Sequence, residues 1–352
     1  MLEHMSEHAA LRLRLSSPAD LVEAVPYLLG YHPSDSLVAL ALRGERRKVG
    51  FTMRLDLPQA DDGDIAAPLA RSVAAYLVHA GADQAVLVVY GDVGDVLDGL
   101  PQPRLIGETT TALQRRGVEV VEALYVGAGR WWSYLCNRPT CCPSEGTPIP
   151  VGGCSTVVAT ATYAGLVALP NRAAVERSLD PVGVPAANGM TQALAEAEQG
   201  LAARITDEAS LEVVRAESRA MLTAAVNTGP VLSDDVAARL IVGLEDIAVR
   251  DECCEWTETQ RGMPAQQLWV QLARRAVPEH AVVPLVMVAW FAWRAGDATL
   301  ARVAVERCLL NDPAYSLAIL LRDALDSAVD PATLVAPVPT ERERAAGGAD
   351  DG

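Results

Sequence analysis

The chain has no apolar stretch long enough to cross a bilayer. Its longest, Ala281–Trp293, runs for 13 residues between His280 and Arg294 and contains Pro284, whereas a spanning helix needs about 20. No membrane association is expected. Positive charge is also scarce: 29 Lys and Arg stand against 45 Asp and Glu, a formal net charge of −16. Such a field repels phosphate backbones and anionic lipid surfaces, so no nucleic-acid partner is expected either. The first residues lack the cationic start and apolar core of an export signal, and Met1–Met5 reads as an added leader with the native start at Met5. Seven cysteines are an odd number for a disulfide framework, and without an export signal they imply reduced thiols and a cytoplasmic location. Neither a G-x-G-x-x-G fingerprint, nor a phosphate-cradling loop, nor a G-x-S-x-G elbow occurs, which leaves nucleotide binding without positive support.

Half of the 352 residues are apolar and 21% are charged, so the chain folds by burial, and at about 150 residues per domain it holds about two domains. The N-terminal part reads as α/β, a mixed sheet with packed helices. Leu11–Ser16 alternates apolar and charged residues as a half-buried strand does. Ser17-Pro18-Ala19-Asp20 then carries an N-cap, a proline where its missing N–H costs nothing, and an acid facing the positive helix end. Pro26 predicts an end to that helix near Val25, with Gly30 as the cap and Tyr31–Asp35 as a loop. Ser36–Leu42 and Gly50–Asp56 predict a hairpin, and Ala85–Tyr90 and Val118–Val126 two further buried strands. Ala66–Ala80 and Arg104–Arg116 have helical spacing, and Trp131–Leu135 returns after the Gly127–Gly129 turn. Thr156–Tyr163 reads as helix, Leu166–Leu169 as a short strand, and Asn171 as the cap of a helix over Arg172–Leu179.

Asp180–Gly189 (DPVGVPAANG) is the expected linker between an α/β domain over 11–180 and a helical domain over 190–328. In the second half every strong segment is helical, with cap-like starts at Thr206-Asp207-Glu208 and Ser233-Asp234-Asp235. Ala289–Ala318 matches the tetratricopeptide template through Trp290, Gly296, Ala301, Cys308 and Pro313. One legible repeat cannot bury a continuous core, so the reading is a repeat-like pair inside an irregular helical domain that could present a groove to a protein partner. A polar, mobile tail is expected over 331–352.

Chemistry concentrates in Cys136–Gly153, where four prolines, three glycines and three cysteines exclude a regular element. Cys136, Cys141 and Cys142 fall within seven positions, with Cys154 twelve beyond Cys142, and thiolates are the preferred soft ligands of zinc. One candidate is therefore a zinc site of Cys136, Cys141 and Cys142, completed by His32. A second makes Cys142 or Cys141 a nucleophile, with His32 as base and Glu145 as orienter. A third is plain packing, since free cysteines behave as small hydrophobes. The first two require the His32-Pro33 turn and the Cys-rich hairpin end to meet on one rim of the sheet. The other histidines join no motif: His4 and His8 lie in the leader, His79 ends a helix and His280 precedes the apolar helix. Asp92 and Asp95 follow a buried strand where open sheets collect ligands, but a Gly-Asp turn is the better account of them. Cys253, Cys254 and Trp256 read as packing at a helix end.

SPADLVEAVPYLLGYHPSDSLV (Ser17–Val38), DLP (Asp56–Pro58), SYLCNRPTCCPSEGTPIP (Ser133–Pro150) and LARVAVERCLLNDPAYSLAILL (Leu300–Leu321) together resemble an actinobacterial family of unknown function over Leu11 to about Leu325. His32-Pro33, Cys136, Cys141, Cys142, Pro143, Glu145 and Gly146 stand where that family's motifs have them. The resemblance implies boundaries and a source, and it brings no activity. Two functions follow from the residues: a binding or regulatory protein, acting through the helical half or on a small ligand, and a thiol-dependent enzyme acting on a small substrate.

Overall fold

In a computed structural model the described residues are 17–44, 47–58, 65–92, 99–150, 155–163, 166–229 and 232–331. The expected strand Leu11–Ser16, Met1–Met5, Asp95, Cys154 and all of the tail but its first residue lie outside them. The N-terminal half builds one six-stranded mixed sheet in the order β2-β1-β3-β4-β5-β6. Its strands are β1 (Ser36–Arg43), β2 (Lys48–Asp56), β3 (Gln84–Tyr90), β4 (Glu119–Gly127), β5 (Arg130–Ser133) and β6 (Thr147–Pro148). The β3–β4 pair is parallel, and the other neighbours are antiparallel. Helices α2 (Ala66–His79) and α3 (Pro103–Gln114) make the crossovers on either side of β3, as parallel strands require.

The central strands are apolar throughout because both faces are covered. Leu37, Ala39 and Ala41 of β1, with Leu87 and Val89 of β3, share a core with Val73 and Leu77 of α2 and Leu105 and Leu113 of α3. The alternate residues Val38, Leu40, Val86, Val88 and Leu124 enter a second, larger core. That core also contains Val22, Val25 and Leu29 of α1 (Pro18–Leu29), and it is continuous with the helical half.

That half comprises α6 (Val184–Ala202), α7 (Glu208–Thr228), α8 (Asp234–Leu244), α9 (Ile247–Cys254), α10 (Gly262–Arg275), α11 (Pro278–Arg294), α12 (Ala298–Asn311) and α13 (Ser316–Asp326); α4 (Thr156–Tyr163) and α5 (Arg172–Ser178) precede it. The apolar segment Ala281–Trp293 is the buried body of α11, and Ala301, Ala304 and Cys308 of α12 are fully enclosed. Among the described residues no helix is long and apolar enough to cross a membrane.

Caps behave as their chemistry predicts. Ser17 and Asp20 form a reciprocal capping box, and Asn171, Asp207 and Ser233 accept first-turn N–H groups. Four expectations are corrected. The Cys136–Gly153 segment does hold a regular element, the two-residue strand β6, paired antiparallel with β5. Pro26 does not end α1, which continues to Leu29; the burial of Val25, Pro26 and Leu29 offsets the lost backbone bond. Leu166–Leu169 is not a strand: Leu169 makes a single bridge to Tyr31. The linker is shorter than expected, because α6 starts at Val184 with Pro185 in its first turn, where proline is tolerated. What remains of the linker is pinned. Arg307 donates to the Leu179 and Glu176 carbonyls and to the Asp180 carboxylate, and Val182 N–H donates to the Arg274 carbonyl at 2.8 Å.

The two halves also meet where helix ends converge. Gly30 caps α1 at φ +77°, and a side-chain carbon there would lie 3.3 Å from Oδ2 of Asp297, the N-cap of α12. Burial raises the Asp297 carboxyl from 3.8 to about 6, against the opposing pull of the Leu300 and Thr299 N–H groups. A carboxyl whose folded value lies above its unfolded one lends stability below pH 4 that disappears as pH rises through 6. Asp297→Asn keeps a capping oxygen without the charge. It should be more stable than the parent at pH 8 by about 1–3 kcal/mol, with the advantage gone at pH 4, as measured by urea unfolding at both values.

Candidate functional site

The Cys-rich segment is a loop held against the sheet edge. Tyr134 N–H continues the β4 ladder by donating to the Ala123 carbonyl at 2.8 Å. Ser133 Oγ donates to Glu122 (2.9 Å) and accepts the N–H groups of Leu135 (3.1 Å) and Cys136 (3.2 Å). The chain then turns on the Arg138 carbonyl, which accepts from the N–H groups of Cys141 and Cys142 at 3.2 and 2.8 Å. On the return, Arg130 donates to the Glu145 and Gly146 carbonyls at 3.0 and 2.7 Å, and the Trp132 indole donates to the Ser144 carbonyl at 3.0 Å. Gly146 lies at φ +77°, where a Cβ would come 2.3 Å from the Trp132 ring. Only glycine fits both the left-handed backbone and the indole face.

This scaffold brings three sulfurs together. The Sγ atoms of Cys136, Cys141 and Cys142 lie within 4.8 Å of one another, and those of Cys136 and Cys141 are 3.2 Å apart. Cys141 is exposed and the other two are half-buried. The Arg138 peptide N–H, helped by the thiols of Cys141 and Cys142, draws the Cys136 thiol down to about 7. Burial, followed by the neighbouring sulfurs, pushes Cys142 up to about 12. The cysteines of the helical half differ in kind. Cys253 and Cys308 are fully enclosed and Cys254 contacts the Met287 sulfur, and burial raises all three thiols. They pack as small hydrophobes.

The other expected partners stand outside the sulfur group. His32 is exposed, its N–H donating to the Leu169 carbonyl at 2.9 Å. It precedes β1, three strand positions from β5 in the sheet order, at the end of the sheet where β5 begins, whereas the thiol loop leaves from the end of β5. Glu145 is exposed, with Ser144 Oγ 3.4 Å from its carboxylate. Asp92 serves the fold through its carbonyl, which accepts the Tyr125 hydroxyl at 2.6 Å.

A second constellation went unread in the sequence. His280 lies in the first turn of α11, and its Nδ1 is 2.7 Å from Glu245 and its Nε2 3.7 Å from Glu198. The three residues come from α11, the C-terminal cap of α8, and α6. Beside them a cleft of about 360 Å³ opens between α6, α7, α8 and α9. Leu201, Val214, Val242 and Val249 line its apolar part, and Glu198, Glu245, Asp246 and Arg215 its charged part. Arg215 is fixed there by Asp246 at 2.9 Å and Glu212 at 2.7 Å. A larger hollow of about 640 Å³ is lined mainly by exposed Asn227, Thr259, Gln260, Arg261 and Pro264. Its one buried lining residue is Val226.

The chain belongs to the DUF4192 family, a domain of unknown function, whose model matches residues 18–332 and so takes in the sheet, the thiol loop and the helical half. No curated protein and no solved structure matches it.

The loop scaffold makes a direct prediction. Gly146→Ala forces either the Trp132 ring or the backbone to move, which should cost about 1–3 kcal/mol in urea unfolding and shift tryptophan emission. The exposed neighbour variant Ser144→Ala, whose carbonyl still accepts the indole N–H, should leave both readouts unchanged.

Proposed function

We propose that this protein is a small-ligand binding protein whose ligand enters the cleft between α6, α7, α8 and α9. One observation carries the reading: a concavity of about 360 Å³ with an apolar floor and charged groups converging on its rim. That size and composition suit small-molecule sites, where apolar walls give affinity and a few placed polar groups give orientation. The acidic rim formed by Glu198, Glu245 and Asp246 favours a ligand that is uncharged or cationic over an anion. A flat docking surface for a protein partner has weaker support. The apolar residues most exposed on the last two helices, Leu310 at 81% and Leu320 at 65%, are single side chains, and scattered exposure of that kind is ordinary.

The test uses the uncharged apolar dye Nile red as probe. Saturable fluorescence enhancement with one site per chain is expected, and Ala202→Trp, an exposed change on the cleft wall, should weaken it at least about tenfold, or about 1.4 kcal/mol. Ala216→Trp, on the exposed side of α7 outside the lining, is the control. Equal binding by both variants, or none by the parent, overturns the reading.

A thiol-dependent reaction on a small substrate is the second reading. It is favoured by the exposed Cys141 sulfur 3.2 Å from Cys136 and by the Arg138 N–H at the Cys136 sulfur, which stabilises a thiolate. On this geometry Cys136 takes the nucleophile's part in place of Cys142 or Cys141. After chelator treatment, a maleimide should label Cys136 much faster than Cys253. Equal rates would remove the reading.

A further inference from the structure

We infer that the Cys136–Cys142 loop is a zinc site, with Cys136, Cys141 and Cys142 as three of its ligands. The argument is geometric. Zinc–sulfur bonds of about 2.3 Å in a tetrahedron place sulfurs about 3.8 Å apart. The three Sγ atoms lie within 4.8 Å of one another, and the nearest pair is 3.2 Å apart. Bringing them to bonding geometry requires side-chain adjustment without any new fold of the loop.

The surroundings fit a metal site better than they fit packing. Packing cysteines in this protein are enclosed in the helical half, whereas these three sit on the rim of the sheet with Cys141 exposed. An apolar role gains little at an exposed position. The loop also has the second layer of contacts that metal ligands need to stay oriented. Cys136 is positioned by Ser133 Oγ at its N–H, and Cys141 and Cys142 by the shared Arg138 carbonyl. Two further hydrogen bonds, from Arg130 and Trp132, fix the returning strand. Residues 136–146 form neither helix nor strand, so a bound ion would add directly to the loop's stability.

Soft thiolates select zinc, cuprous copper or iron–sulfur clusters over hard cations. Zinc is assigned because it needs no redox partner. Binding is an exchange: each ligating thiol loses its proton to solvent as its sulfur–zinc bond forms, replacing a water on the ion. The inference is independent of the cleft, since the two sites share no residue and the dye assay does not read the metal.

The experiment uses the full chain, reduced and freed of metal by a chelator, then titrated anaerobically with zinc against a chromophoric chelator. One zinc per chain is expected. Cobalt should give a thiolate-to-metal charge-transfer band and the visible spectrum of a tetrahedral ion. Cys136→Ser, Cys141→Ser and Cys142→Ser should each weaken zinc at least tenfold, while Asn137→Ala, an exposed change within the loop, should not. Circular dichroism separates loss of ligand from loss of fold, and a variant that unfolds is replaced by thiol counting on the parent. There, zinc should protect three thiols from a disulfide reagent in the folded protein. Substoichiometric zinc, a cobalt spectrum without the charge-transfer band, or binding that survives all three serine variants would each overturn the assignment.

Discussion

The central strands are buried on both faces, and among the described residues their second face is covered by α1 and by the helices that follow the sheet in the chain. Val38, Leu40, Val86, Val88 and Leu124 share one apolar core with α1 and the helical half. Burial of these side chains stabilises by roughly 1.5–3 kcal/mol each, which no surface contact between the halves approaches. The pinned Asp180–Val182 segment, the Asp297–Gly30 contact and the Arg43–Asp330 ion pair at 2.5 Å therefore orient an association that the core already requires. Both candidate sites depend on it. The thiol loop hangs from the edge of a sheet made rigid by that burial, and the cleft lies among helices whose packing begins at the same core.

Charge follows a consistent division. Most arginines serve as structural clamps: Arg130 and Arg307 bind carbonyls, and Arg215, Arg219 and Arg250 pair with carboxylates of the helical half. At the cleft rim three carboxylates, Glu198, Glu245 and Asp246, stand with one guanidinium, Arg215, which Asp246 holds at 2.9 Å. Exposed pairs of this kind add little stability individually. Their effect is on geometry and on which ligands are attracted.

What was legible in the sequence was whatever local chemistry dictates. Ser17, Asn171 and Ser233 announced helix starts because a cap is a contact within three residues. The central strands were read from unbroken apolar runs, and the three thiols from their spacing within one loop. Pro26 misled because burial of its neighbours outweighs the local penalty, and the linker misled because proline near a helix start is permitted rather than breaking. The two-residue β6 is too short to leave a pattern. His32 could not be placed relative to the thiols because their distance depends on strand order, which is a long-range property. His280 was passed over for the same reason: Glu198 and Glu245 reach it from two other helices.

The outer border of the sheet ends in Thr147–Pro148, with Pro150 next but one. Proline has no backbone N–H, so this border lacks donors that an approaching foreign strand would need. At the opposite border among the described residues, β2 carries Lys48 and the Arg54–Asp56 pair, charged groups that oppose edge-to-edge pairing with another strand. An open sheet is a template for runaway polymerisation, and among the described residues each margin of this one is blunted by a different chemical means.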